Sequence, residues 1–138
     1  MNTFKSPLSK YSRRVFSECT VDVKRYFPEA KEFTSLNCEK ALWDTGSPVS
    51  IISDRIASEL RLTPVGRAKI RSLDGKPIDT NRYIVDIVLN DTISIKCVEV
   101  FEAPSVVFDV LIGMDIIERG NLSLNNLSDN PYFIFETY

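Results

Sequence analysis

The sequence predicts a mainly β fold, a closed barrel or sandwich carrying one or two short helices. Three observations lead there. Apolar residues fall in many short runs, and the breaks between them are turn pairs such as Asp74-Gly75 and Asn90-Asp91. Only residues 54–60 and 114–119 combine helical spacing with helix-end signals. A chain of 138 residues with 43% hydrophobic content is long enough to bury one core of normal size, and short for two.

In chain order, residues 1–19 read as a flexible basic arm, with residues 20–138 forming the folded domain. The arm interleaves Lys5, Lys10, Arg13 and Arg14 with Ser6, Ser9 and Ser12, and has no acid before Glu18. Such a start also suits an organelle transit peptide or a weak anionic contact, but Pro7 and the lack of an apolar face argue against the amphipathic helix a transit peptide needs. Residues 20–26 read as a strand ending at Phe27-Pro28, residues 40–43 as a strand leading into Asp44, and residues 49–52 as a short apolar strand. Ser53 caps a helix over residues 54–60, where Ile56 and Leu60 share a face and Pro64 enforces the end. Residues 67–73 alternate roughly, and Asp74-Gly75 closes them into a hairpin. A second hairpin joins residues 83–89 to 92–101 around Asn90-Asp91, and residues 106–112 form an apolar strand stopped by Gly113. Residues 114–119 make one or two helical turns closed by Gly120. Residues 121–138 return to extended structure through Tyr132-Phe133-Ile134-Phe135.

Composition removes several function classes. With 17 basic and 19 acidic side chains the net charge is -2, which supplies no overall positive field for nucleic acid or an anionic membrane. The chain has no histidine, and its three cysteines, Cys19, Cys38 and Cys97, lack the C-x-x-C spacing. Zinc sites, histidine-based triads and Cys-His nucleophiles go together, so neither a metal nor a cofactor is expected. No apolar run approaches the roughly 18 residues that span a bilayer, and a soluble, cytoplasmic protein with reduced thiols is the expectation.

The segment that carries chemistry is Ala41-Leu42-Trp43-Asp44-Thr45-Gly46-Ser47: a carboxylate at the end of an apolar strand, then a hydroxyl residue and a glycine free to turn sharply. Asp-Thr-Gly alone reads more readily as an ordinary turn that ends a strand. Its context is more telling. Val49-Ser50-Ile51-Ile52-Ser53 follows, then a helix, the hairpin at Asp74-Gly75, and an apolar strand into Leu111-Ile112-Gly113-Met114-Asp115. This order resembles the retropepsin-like aspartic peptidases, and looks closest to their single-domain cellular or bacterial members.

The resemblance covers residues 20–138 and implies a retropepsin-like closed β-barrel, the single-lobe form of the acid protease fold. It further implies an aspartic endopeptidase in which Asp44 is catalytic. Thr45 would brace the partner subunit's loop, Gly46 would bond substrate backbone, and the Ser47 hydroxyl would bond Asp44. Ser72, Leu73, Asp74, Gly75 and Lys76 would form the substrate flap, charged where the family's flap tips are usually apolar and glycine-rich. Leu111, Ile112 and Gly113 would pack behind the loop. Read without the resemblance, Ser47 is a turn residue, residues 111–113 are a core strand ending in a turn, and Asp115 is a helix cap.

The chain has one Asp-Thr-Gly and no internal repeat, so a working site of this kind needs a homodimer acting on an extended polypeptide. Residues 121–138, and with them residues 20–26, are where such subunits would interlace. Two other readings stay open: a catalytically silent domain of the same fold that binds peptides or pairs proteins, and a β-barrel assembly module in which Asp44 only caps a turn.

Overall fold

In the computed structural model, which describes residues 1–27, 33–71 and 75–138, the order is β1 (Asn2–Pro7), β2 (Val15–Asp22), β3 (Ser35–Trp43), β4 (Ser50–Ser53), α1 (Asp54–Glu59), β5 (Gly66–Arg71), β6 (Pro77–Val88), β7 (Ser94–Ala103), β8 (Val110–Ile112), α2 (Met114–Ile117), β9 (Asn121–Asn125) and β10 (Tyr132–Thr137). Six strands form a ring in the order β2-β3-β8-β4-β7-β6, which closes where Val21 pairs with Ile87 and Asp22 with Asp86. Closure removes free edges from these strands. Along each of them alternate residues point inward: Val21, Ala41, Ile52, Val85, Ile87, Val100, Val110 and Ile112 are fully buried. β-branched side chains suit this pleated interior. α1 caps one side through Ile56 and Ala57, and Ser53 accepts the Ile56 amide as its N-cap.

The remaining strands form a second, three-stranded sheet in the order β1-β10-β9. Here the expectation of a flexible arm is corrected. Residues 2–7 pair along their whole length with β10, and residues 15–22 are already barrel strand. The sequence hid β1 because Phe4 is its one large apolar residue and its partner lies at the other end of the chain. Phe4, Phe133 and Phe135 are buried against Trp43, with ring centroids 5.2–6.2 Å from it or from each other. The Trp43 Nε1–H donates to Ser17 Oγ at 2.9 Å, so the indole is packed and its polar atom satisfied.

Two other expectations change. Lys24–Tyr26 is a 3-10 turn rather than strand, and Thr20 to Asp22 pair with both β3 and β6, which leaves that segment no edge to offer a second copy. Of residues 106–112 only Val110–Ile112 is strand; the Ser105 hydroxyl accepts the amides of Val107 and Phe108 and turns the chain there, leaving Val106 95% exposed.

β6 and β7 slip register between Val85 and Ile87, and on the β7 side Cys97 takes a left-handed φ of 55°. Asp86 settles this bulge. Its carboxylate accepts the Cys97 amide at 3.0 Å, the Tyr26 hydroxyl at 2.7 Å and the Arg25 guanidinium at 2.8 Å, with Lys96 at 3.6 Å. Burial alone would push the pKa of this carboxyl up, but the bonds from Arg25, Tyr26 and Cys97 prevail and hold it at about 2, below the ordinary 3.8. A depressed folded-state value stabilises the fold above the unfolded value and is lost as pH falls. Asp86 is therefore expected to contribute about 2 kcal/mol that disappears as pH drops from 3.8 to about 2. Urea unfolding at stepped pH checks this: Asp86→Asn should be less stable at neutral pH and lose less across that window. A variant whose pH profile parallels the parent's would refute the assignment.

Candidate active site

β8 lies between β3 and β4, parallel to the first and antiparallel to the second. The chain leaving β3 at Trp43 must therefore cross the end of β8 to reach β4 at Ser50. That crossing is the Asp44 loop. It is clamped at two points: the Asp44 amide donates to the Ile112 carbonyl at 2.9 Å, and the Ser47 carbonyl accepts the Met114 amide at 2.7 Å. Gly113 sits beneath the crossing, where a Cβ would overlap the Val49 carbonyl, so the residue is held to glycine by backbone approach.

A buried bridge fixes the underside. Ser50, fully buried, accepts the Gly113 amide on Oγ at 3.0 Å and donates its hydroxyl proton to Asp115 Oδ1 at 2.7 Å. Asp115 Oδ2 also accepts the Ser50 amide at 3.2 Å. Asp115 does not occupy the cap position of α2, which Gly113 holds; it stands in the first turn and ties that helix to β4. Sequence reasoning named Asp115 only as a cap and did not single out Ser50. Its one sequence signal is a lone hydroxyl inside the apolar run Val49-Ser50-Ile51-Ile52.

Asp44 itself is half-buried on the loop, with Thr45, Gly46 and Pro48 exposed around it. Its Oδ1 accepts the Gly46 amide at 2.8 Å, the local turn that short acidic residues favour. Its Oδ2 has no hydrogen bond among the described residues. Ser47 departs from expectation: its hydroxyl donates to the Val49 carbonyl at 2.7 Å instead of to Asp44. The loop is short enough for its own backbone to satisfy Ser47 first. Leu111 and Ile112 are buried behind the loop, where Trp43 pairs with Ile112.

The hairpin expected at Asp74-Gly75 is formed by β5 and β6, paired antiparallel from Gly66 opposite Arg82 to Arg71 opposite Pro77. Ala68 and Ile70 are half-buried while Arg67, Lys69 and Arg71 are exposed, the alternation read from the sequence. Gly75 and Lys76 are exposed at the tip, Gly75 with φ 80°. Ser72, Leu73 and Asp74 lie outside the described residues.

Residues 37–116, from β3 through the Asp44 loop to α2, match a family described as Aspartyl protease. The chain belongs to the aspartyl protease family. No curated protein matches the sequence. Among solved structures, the chain is similar to a retropepsin-like aspartic protease from Rickettsia conorii, with TM-score 0.61 and 12% identity over 99% of this chain and 94% of that one. It is also similar to the retroviral protease-like domain of Ddi1 from Leishmania major, with TM-score 0.52 and 18% identity over 87% of this chain and 93% of that one. At these identities the likeness is one of fold, and it makes the closed barrel of this aspartyl protease family member retropepsin-like.

Ser50→Ala would leave the Gly113 amide buried and unpaired, and is expected to cost about 1–3 kcal/mol in urea unfolding. Ser47→Ala removes a bond in a half-buried turn and should cost under about 1 kcal/mol. Equal losses would show that the Ser50 bridge does not hold the loop.

Proposed function

We propose that this protein is an aspartic endopeptidase, in which two copies each contribute Asp44 to one site. The observation that carries the reading is the state of Asp44. It is a half-buried carboxylate on a loop clamped by backbone bonds to β8, with one oxygen tied to Gly46 and the other left open. Membership of the aspartyl protease family supports it.

The chemistry follows from bringing two such groups together. At about 4 Å and an effective dielectric near 20, two carboxylates repel by roughly 4 kcal/mol. That is about three pH units between their ionisations, and the aspartic protease pair is the best-known case of carboxylates sharing one proton for this reason. The ionised Asp44 takes a proton from a water molecule as that water attacks the peptide carbonyl carbon. The protonated one donates to the carbonyl oxygen, and the proton balance is restored as the amine leaves. The reaction requires no histidine, metal ion or covalent intermediate.

In this reading Thr45 braces the partner's loop and Gly46 bonds the substrate backbone. The β5–β6 hairpin, with Gly75 and Lys76 toward its tip, covers an extended peptide. The second copy adds at the outer edge of β9 or β1, since β10 is already paired on both sides. A peptide-binding domain without turnover is the second reading, favoured by the Ser47 hydroxyl turning away from Asp44.

Incubation with a diverse mixture of unstructured peptides from acid to neutral pH, read by mass spectrometry, tests both. The parent protein is expected to cut and Asp44→Asn to fall to background while sedimenting as the same dimer. Cleavage by Asp44→Asn at the parent's rate would remove Asp44 from catalysis. A parent dimer that binds peptides and cuts none would establish the second reading.

A further inference from the structure

Away from the Asp44 loop, the barrel holds a pair of sulfur nucleophiles that peptide hydrolysis does not use. Cys19 on β2 and Cys38 on β3 are direct cross-strand partners, and both are free thiols. A register shift creates this pairing. Ser17 stands opposite Ala41, so an unbroken ladder would place Cys19 opposite residue 39; the shift brings Cys38 there instead. It turns Cys38 into the interior at 1% exposure, beside Cys19 at 4%, and leaves Glu39 outside.

Opposed residues of an antiparallel pair project to the same side, with Cα atoms about 4.5–5.5 Å apart. A disulfide spans Cα separations of about 4.4–6.8 Å, so the backbone pairing of Cys19 with Cys38 lies within disulfide reach. We propose that Cys19 and Cys38 are a modification site, a dithiol that a small neutral hydroperoxide oxidises to a reversible disulfide stapling β2 to β3.

The surroundings select the oxidant. The pair lies against a cleft of about 350 Å³ whose lining includes Glu18 and Glu39, both exposed, together with Thr20 and Asn37. Two carboxylates at the opening disfavour anionic, bulky oxidants such as glutathione disulfide and leave hydrogen peroxide unhindered. The order of events follows from how the two thiols bear on each other. Cys19 holds the Cys38 thiol below its ordinary range, whereas Cys38 and burial push the Cys19 thiol well above its own. Cys38 is thus the attacking sulfur. Its thiolate attacks a peroxide oxygen, the O–O bond breaks, and hydroxide leaves to become water, giving a sulfenic acid. Cys19 sulfur then attacks the Cys38 sulfur; the S–S bond forms and the hydroxyl leaves as water with the Cys19 proton. Two electrons pass from sulfur to oxygen, and two thiols with one hydrogen peroxide give one disulfide and two waters.

The test is treatment of the folded protein with hydrogen peroxide, then unfolding with thiol alkylation, digestion and mass spectrometry, beside thermal unfolding. A Cys19–Cys38 cross-linked peptide is expected, lighter than the two reduced peptides together by about 2 Da. A rise in Tm of roughly 10 °C, the size expected for closing a loop of this length in such a domain, should accompany it and reverse with dithiothreitol. Cys97→Ser should give the same cross-link, since Cys97 lies on β7, away from the pair. Full alkylation of both thiols after peroxide would overturn the proposal. So would a sulfinic acid at Cys38 with Cys19 free, a cross-link through Cys97, or a cross-link that leaves Tm unchanged. The cross-link mapping uses proteins that keep both cysteines, so it does not depend on whether Cys38→Ser folds.

Discussion

The insertion of β8 between β3 and β4 organises everything around Asp44. Two strands consecutive in the chain are separated in space by a third that arrives some sixty residues later, so the connection between them has to pass over that strand's end. Where the crossing lies against that strand its backbone groups are shielded from water and must find partners. The partners are the carbonyl of Ile112 and the amide of Met114. Gly113 is small because the loop passes directly above it, and Ser50 is a hydroxyl because the Gly113 amide below would otherwise be orphaned. The position of Asp44 is a consequence of this threading more than of its own contacts.

The same strand ties the loop to the rest of the molecule. Trp43, immediately before Asp44, is the centre of the aromatic cluster that joins the β1-β10-β9 sheet to the barrel. Large rings buried in this way contribute about 2–3 kcal/mol each through lost apolar surface, so the terminal sheet and the strand that carries Asp44 are stabilised as one unit. On the proposed reading this matters for catalysis. The sheet that would meet the second copy is packed against the residue that positions the shared carboxylate, and pairing of the two copies is mechanically connected to the site.

The bulges show how the barrel accommodates irregularity without loss. At Asp86 a register slip leaves an amide unpaired, and a buried carboxylate with cationic neighbours takes it up. At Cys38 a slip reverses which residue faces inward and brings two thiols together in the core. Both positions look unremarkable along the chain. An acid in the middle of Val85-Asp86-Ile87 and a cysteine beside Glu39 carry no pattern, because their meaning depends on what stands opposite.

Much of the architecture was legible in order and type. Ser53 and Pro64 bracket α1, Gly113 and Gly120 bracket the α2 region, and the rough alternation read over residues 67–73 shows in the exposed Arg67, Lys69 and Arg71. The Asp44 loop and the Leu111-Ile112-Gly113 segment that packs behind it were also identifiable, because apolar runs ending in turn residues are local signals. The strand β1, the turn at Ser105 and the destination of the Ser47 hydroxyl were not. A polar strand exists only through a partner at the far end of the chain, and a hydroxyl chooses among acceptors by distance. By itself the sequence determined the mainly β character, the two helices and the presence of a turn-borne carboxylate, since these depend on residues near one another in the chain. The tertiary structure alone decided how β8 is threaded, which groups brace Asp44 and which thiols face each other, since these depend on pairings that local composition does not encode.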